Sequence, residues 1–130
     1  MGLGVLAAGA LAVPALASQT VKIDSKVTLA VDCADTPGQC HAYLFHGRFK
    51  SSKHACEVQR KVKMFSVSVR PGRDRLVGTD RSNRHGKWRV VVEMVRGQHR
   101  FYAKVVRREV RTAGTTFVCR GDRTATIDLH

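Results

Sequence analysis

Apolar and polar residues alternate along most of the chain beyond residue 17, whereas the 3.6-residue spacing of an amphipathic helix is not evident. Alternating segments cover 20–31, 43–50, 60–69, 76–80, 88–94, 101–106, 116–120 and 125–129. Turn residues such as Gly, Asn, Asp and Pro separate many of these segments. Short strands with frequent turns predict an all-β fold, an antiparallel sandwich of about seven to eight strands.

One predicted strand changes phase. Val62 and Met64 share one parity, while Phe65, Val67 and Val69 take the other. A switch of this kind within a strand predicts a β-bulge or a move from one sheet to another.

The first 17 residues carry no charged side chain. They form an apolar stretch broken by Pro14 and followed by Ala15 and Ala17, an A-x-A cleavage signature. This pattern predicts a signal peptide over 1–17, and therefore an extracellular or cell-envelope location, although the usual basic n-region is missing. An N-terminal core helix is the alternative, which the glycines and Pro14 disfavour. No later apolar run approaches the roughly 20 residues of a membrane-spanning helix, so no transmembrane segment is expected in the processed chain.

Four cysteines stand at positions 33, 40, 56 and 119. In an exported domain an even number of cysteines predicts disulfides, and four allow three pairings. We favour Cys33 with Cys40, across a turn, and Cys56 with Cys119, closing a long loop. A zinc site of Cys33, Cys40, His41 and Cys56 is the alternative, which the ligand spacing and the oxidising compartment disfavour. We expect no metal and no cofactor.

The formal charge is +13, and the whole excess lies after Gly47, where the net charge is +14, against −1 before it. A charge of magnitude about 2 to 8 suffices to keep a small domain soluble, so this excess favours binding to polyanions. A merely solvated surface is the alternative, because strands with one wet face place basic residues outward at little cost.

The candidate anion-binding residues are in two loops and at the far end of a strand. They are Arg70, Arg73, Arg75, Arg81, Arg84, Lys87, Arg89, Arg107, Arg108 and Arg111.

Several segments together resemble the transthyretin-like sandwich, including carboxypeptidase-regulatory-like and adhesin B-type domains. They are FHGRF at 45–49, RKVKMF at 60–65, VGTD at 77–80, GKWRV at 86–90 and FYAKV at 101–105. In the hairpin Asp80 is expected to cap backbone donors of the loop, Gly86 to supply a positive φ, and Trp88 to re-enter the core. The loop itself departs from the family, being longer and rich in Arg and His.

The resemblance implies a non-catalytic module with an immunoglobulin-like or transthyretin-like sandwich. Together with the N-terminal pattern, the resemblance divides the chain into three parts. They are a signal peptide at 1–17, an N-terminal strand segment with a disulfide loop at 18–42, and the sandwich at 43–130. The residues themselves also give little indication of catalysis. Asp80, Ser82 and His85 are close in sequence, but no nucleophile elbow accompanies them. We therefore expect no enzyme activity.

These observations predict a secreted module that binds an anionic polysaccharide, an envelope polymer or a protein partner. A nucleic-acid-binding protein is one alternative, disfavoured by export and by the expected burial of its aromatic residues. A purely structural or inhibitor-like secreted protein is another. Oligomeric state does not follow from the sequence.

Overall fold

A computed structural model describes residues 19–35, 40–70, 72–93 and 97–129. The predicted signal peptide and Met94 lie outside these ranges. The described ranges contain twelve strand segments and a 3₁₀ turn at His54–Cys56, with no α-helix. The strands are β1 (Gln19–Ile23), β2 (Ser25–Val27), β3 (Ala30–Cys33), β4 (Ala42–Ser51), β5 (Lys61–Ser66), β6 (Arg75–Arg81), β7 (Lys87–Glu93), β8 (Arg100–Val105), β9 (Arg108–Thr112), β10 (Thr115–Cys119), β11 (Asp122–Arg123) and β12 (Ile127–Asp128). The all-β prediction is confirmed, while the expected number of strands is not.

Two sheets form the body of the molecule. In the front sheet, β4 pairs with β7 on one side and with β2 and β3 on the other. In the back sheet the order is β6, β5, β8, and then β11 and β12 beside β8. All of these pairs are antiparallel. Within the segment predicted at 18–42, β2 and β3 therefore belong to the front sheet of the sandwich.

A smaller side sheet has the order β1, β10, β9. Its β1 runs parallel to β10, so the prediction of a fully antiparallel body is wrong for this pair. The strand β9 was not among the predicted strands, because its sequence REVRT has Val110 as its sole apolar residue. It forms a hairpin with β10 through a turn in which Gly114 has a φ of 75°.

The core lies between the front and back sheets. Alternate residues of β7 are buried, as are Val62 and Met64 of β5. Phe45 of the front sheet and Phe101 of the back sheet bring their ring centroids to 4.9 Å. The alternation therefore places one parity of each strand inside, as a half-buried strand requires.

The phase switch in β5 corresponds to an irregularity in pairing. The register between β5 and β6 shifts between Met64 and Phe65, at the position where the sequence predicts a bulge. The buried parity of β5 nevertheless continues from Met64 to Ser66. Phe65 is instead on the outer face, stacked on Tyr102 of β8 at 5.3 Å.

Two aspartates connect the sheets along their edges. The Asp80 carboxylate on β6 accepts the backbone N–H of Arg89 on β7 at 2.8 Å. At the opposite edge, Asp122 on β11 accepts the N–H of Val27 on β2 at 2.9 Å. Each bond satisfies an edge-strand donor that lies outside its own sheet's ladder.

The role predicted for Asp80 in the hairpin loop is wrong. Asn83 caps the loop instead, because its Oδ1 accepts the N–H groups of His85 and Lys87 at 2.9 and 3.0 Å. The other two predictions for this hairpin are confirmed: Gly86 has a φ of 73°, and Trp88 is buried.

Both predicted disulfides are present. Cys33 joins Cys40, and Cys56 joins Cys119. The first lies at an exposed end of the front sheet, whereas both cysteines of the second are fully buried. The second disulfide ties the 3₁₀ turn to β10 and so attaches the side sheet to the sandwich. Disulfides indicate an oxidising environment.

Candidate anion-binding surface

The structure divides the ten predicted anion-binding residues among three places, although all ten are exposed. Arg70, Arg73 and Arg75 surround the turn before β6. Arg81, Arg84, Lys87 and Arg89 belong to the β6–β7 hairpin. The remaining three, Arg107, Arg108 and Arg111, precede or belong to β9 of the side sheet.

The two basic loops that are close in sequence are at opposite ends of β6. This strand spans seven residues, which separates its ends by about 20 Å. One compact site formed by both loops is therefore ruled out.

The turn before β6 is anchored to the back sheet. The Asp74 carboxylate accepts the Ser68 N–H at 3.1 Å and the Tyr102 hydroxyl at 2.8 Å. These two bonds, the backbone one foremost, lower the pKa of Asp74 below its ordinary value. Asp74 therefore stays ionised near neutral pH, and its negative charge interacts with the positive charge of Arg123 on β11.

Two cations that are distant in sequence converge on one backbone carbonyl. The Gln59 oxygen accepts from Arg81 at 3.4 Å and from Arg108 at 3.2 Å. Arg107, in contrast, forms an ion pair with Glu109 at 2.8 Å. The structure thus brings Arg81 and Arg108 together, whereas part of the positive charge near β9 is neutralised.

Several cations are aligned on the outer face of the front sheet. In the strand registers, Arg48 is directly opposite Lys87, and Lys26 is directly opposite Lys50. Arg89 follows Lys87 on the same face of β7. We call these five exposed residues, Lys26, Arg48, Lys50, Lys87 and Arg89, the front cationic face.

An open groove of about 790 Å³ crosses this face. Its lining includes four cations and one carboxylate, namely Arg48, Arg81, Lys87, Arg89 and Asp80. His46 and Asn83 also line it. Among the described residues, no carboxylate oxygen comes within 4.0 Å of a basic group of the front cationic face. On β3 and β4, the Asp32 carboxylate lies 2.8 Å from the His46 ring. The groove therefore presents positive charge with hydrogen-bond donors toward solvent.

Two of these five residues, Lys87 and Arg89, are among the predicted anion-binding residues. Alternation along 43–50 separates Arg48 and Lys50 from Phe45 and Phe49. Parity alone does not identify the neighbouring strand. The registers of β2 and β7 against β4 are what align the five cations.

A buried cation, Arg60, was not singled out by sequence reasoning. Its side chain is fully buried, and its guanidinium donates to the Ser25 hydroxyl and to the Cys56 carbonyl, both at 2.8 Å. It also donates to the carbonyls of Val106 and Arg120, both at 3.0 Å. Burial, and secondarily the positive charge of Arg108, lower the pKa of Arg60. Arg60 is therefore a structural group that joins the sandwich to the side sheet.

Three residues resemble a catalytic triad in the sequence, but each forms hydrogen bonds with other groups. They are Asp80, Ser82 and His85. The Ser82 hydroxyl donates to the Glu57 carbonyl at 2.7 Å and accepts the Arg60 N–H at 2.8 Å. Asp80 accepts from the backbone of Arg89, and a ring nitrogen of His85 lies 3.2 Å from the Arg84 side chain. The hydrogen bonds of these three residues therefore do not link them as a triad.

The cysteines of the alternative zinc set are all engaged in disulfides. Ligand atoms of Cys33, Asp35 and Cys40 lie within 4.8 Å of one another, but the two sulfurs are bonded together. A metal-binding cysteine must be a thiolate, so this cluster does not supply sulfur ligands in its oxidised form.

Comparisons with protein-family models, with curated proteins and with solved structures found no match to this chain. A search of the described residues for a helix of the length and hydrophobicity needed to cross a bilayer also found none.

Proposed function

We propose that this protein is a non-catalytic, secreted β-sandwich module that binds an anionic polymer through its front cationic face. A polysaccharide or another polymer of the cell envelope or its surroundings is the favoured ligand class, and an acidic protein surface is the alternative. The observation that carries the proposal is the direct opposition of Arg48 with Lys87 and of Lys26 with Lys50.

In the free protein, the opposed cations of the front cationic face repel each other. Like charges directly opposite each other on a sheet destabilise it, by amounts of roughly 0.2–1 kcal/mol per pair. A polymer with regularly spaced anionic groups neutralises both members of each pair at once and releases its own counterions. The open shape of the groove suits an extended chain better than a small enclosed ligand.

We also propose that the sandwich is of the transthyretin-like type. This rests on the resemblance and on the hairpin, where Gly86 is left-handed and Trp88 enters the core. Secretion is supported by the two disulfides.

The test is a titration with heparin, a sulfated polysaccharide, at several salt concentrations. The double variant Arg48→Ser/Lys87→Ser removes two charges from the front cationic face, and Arg70→Ser/Arg73→Ser removes two from the turn before β6. By analogy with phosphate polymers, we expect the front variant to lower the slope of log affinity against log salt by about 1.5–2. The turn variant should lower it by less than half as much. Equal losses in the two variants would mean that only net charge matters, which would contradict a site on the front sheet.

The nucleic-acid alternative is not favoured by the aromatic residues. Trp88, Phe101 and Tyr102 are 3%, 2% and 7% exposed, so none offers an open ring for stacking with a base. Tighter binding to single-stranded DNA than to a polysaccharide of equal charge would nevertheless support that alternative.

A further inference from the structure

A second set of aligned cations lies on the outer face of the back sheet. Lys63 of β5 is opposite Lys104 of β8, and Lys104 is opposite Arg123 of β11. Three positive side chains therefore form a row across three adjacent strands, about 4.8 Å apart from strand to strand. Lys61 of β5 is opposite Arg81 of β6 in the same sheet. We call Lys61, Lys63, Lys104 and Arg123 the back cationic face.

One end of the row, Arg123, is held in place by an aromatic contact. The Arg123 guanidinium lies 3.7 Å from the centroid of the Tyr102 ring, which stacks on Phe65 at 5.3 Å. Packing against an aromatic ring restricts the long arginine side chain, so less conformational entropy is lost when it binds an anion. In the part of the chain that the structure describes, no carboxylate oxygen lies within 4.0 Å of a basic group of this face.

The two cationic faces are directed away from each other. The inward-facing side chains of the two sheets meet in the core, as Phe45 and Phe101 do. The cations take the outward parity, with Arg48 on the front sheet and Lys63 and Lys104 on the back sheet. Packed sheets are about 10 Å apart, and side chains extend beyond each. A short anionic segment on the front cationic face therefore leaves the back cationic face free.

We propose that each molecule binds two segments of anionic polymer, one on each face, and thereby cross-links polymer chains. This inference rests on the proposed function but goes beyond it, since a module with a single face would bind polymer without joining it. Linking two modest sites in one rigid body raises overall avidity for a polymer that reaches both.

Short and long ligands distinguish binding from cross-linking. With a heparin tetrasaccharide, calorimetry should give two bound molecules per wild-type protein. With long heparin, light scattering should show large assemblies near charge equivalence. The variants Arg48→Ser/Lys87→Ser and Lys63→Ser/Lys104→Ser each remove two charges from one face. Each should bind one tetrasaccharide and reduce scattering with long heparin at least fivefold.

The variant Arg70→Ser/Arg73→Ser is the matched control and should keep both the stoichiometry and the scattering. Thermal melts check folding, and replacing both members of a like-charged pair is not expected to destabilise the sheet, because it removes their repulsion. One tetrasaccharide per wild-type molecule, lost in the front variant, would overturn cross-linking and leave the proposed function intact. Scattering that persists in either face variant would also overturn it. No saturable binding to any heparin would instead overturn the proposed function.

Discussion

At the scale of single residues, Arg60 shows how a charged side chain is accommodated in this core. Four oxygens accept from its guanidinium, and three of them are backbone carbonyls. The Phe49 ring lies 5.7 Å from the guanidinium carbon. The cost of removing this cation from water is offset by hydrogen bonds to a charged donor, which are stronger than neutral ones.

Replacing Arg60 should therefore destabilise the protein through the groups it leaves behind. Arg60→Met keeps much of the side-chain volume but leaves the carbonyls of Cys56, Val106 and Arg120 without this donor. We expect a loss of about 2–4 kcal/mol in the free energy of unfolding, measured by urea denaturation. Arg73→Met, at an exposed position, should change it by less than about 0.5 kcal/mol. A loss below about 1 kcal/mol for Arg60→Met would contradict the structural role.

At the scale of elements, the two disulfides close very different loops. Cys33 and Cys40 are 7 positions apart, and Cys33 is exposed. Cys56 and Cys119 are 63 positions apart and fully buried. A longer loop restricts the unfolded chain more, so the second disulfide should contribute on the order of 4 kcal/mol and the first less.

This difference predicts stepwise reduction of the native protein. At low concentrations of a small phosphine reductant, alkylation and mass spectrometry should show Cys33 and Cys40 modified first, while Cys56 and Cys119 remain oxidised. The intermediate should keep its β-sheet circular dichroism, because the sandwich is intact. Prior or simultaneous modification of Cys56 would contradict the burial of this disulfide. The variant Cys33→Ser/Cys40→Ser, which should melt close to the wild type, provides the matched comparison.

The strands also show how much of the fold could be predicted from the sequence. Alternation identified β4, β5, β7 and β8 as strands, because each has one face in the core. In β5 the buried parity of Val62 and Met64 continues to Ser66, although the sequence pattern switches to Phe65. The strand β9 lacks that signal, and its pairing depends on β10. Parallel pairing of β1 with β10 depends on contacts nearly a hundred residues apart, which local periodicity does not encode. The disulfide pairing was predictable because four cysteines leave few choices.

The candidate site was only partly predictable for the same reason. Charge counting identified a basic surface, and parity placed Arg48 outward on its strand. The two basic loops were grouped because they are close in sequence, yet β6 holds them apart. Cross-strand registers, which decide that Arg48 is opposite Lys87 and Lys63 opposite Lys104, require the tertiary fold.

At the scale of the whole molecule, part of the positive charge stands in like-charged cross-strand pairs on the two cationic faces. If the aligned cations raise the free energy of the unbound fold, reversing one of them should stabilise it. Lys63→Glu turns the pair of Lys63 and Lys104 into an attractive one. Lys22→Glu makes the same change of net charge on β1, where the residue opposite Lys22 is Val118.

In low salt we expect Lys63→Glu to stabilise the protein by about 0.5–1 kcal/mol more than Lys22→Glu does, measured by urea denaturation. The difference should shrink above about 0.5 M salt, where exposed charges are screened over a few ångströms. Equal effects of the two variants would mean that repulsion is spread over the whole surface. A saturating polyanion should likewise raise the melting temperature of the wild type more than that of Lys63→Glu, because binding removes a repulsion that the variant no longer has.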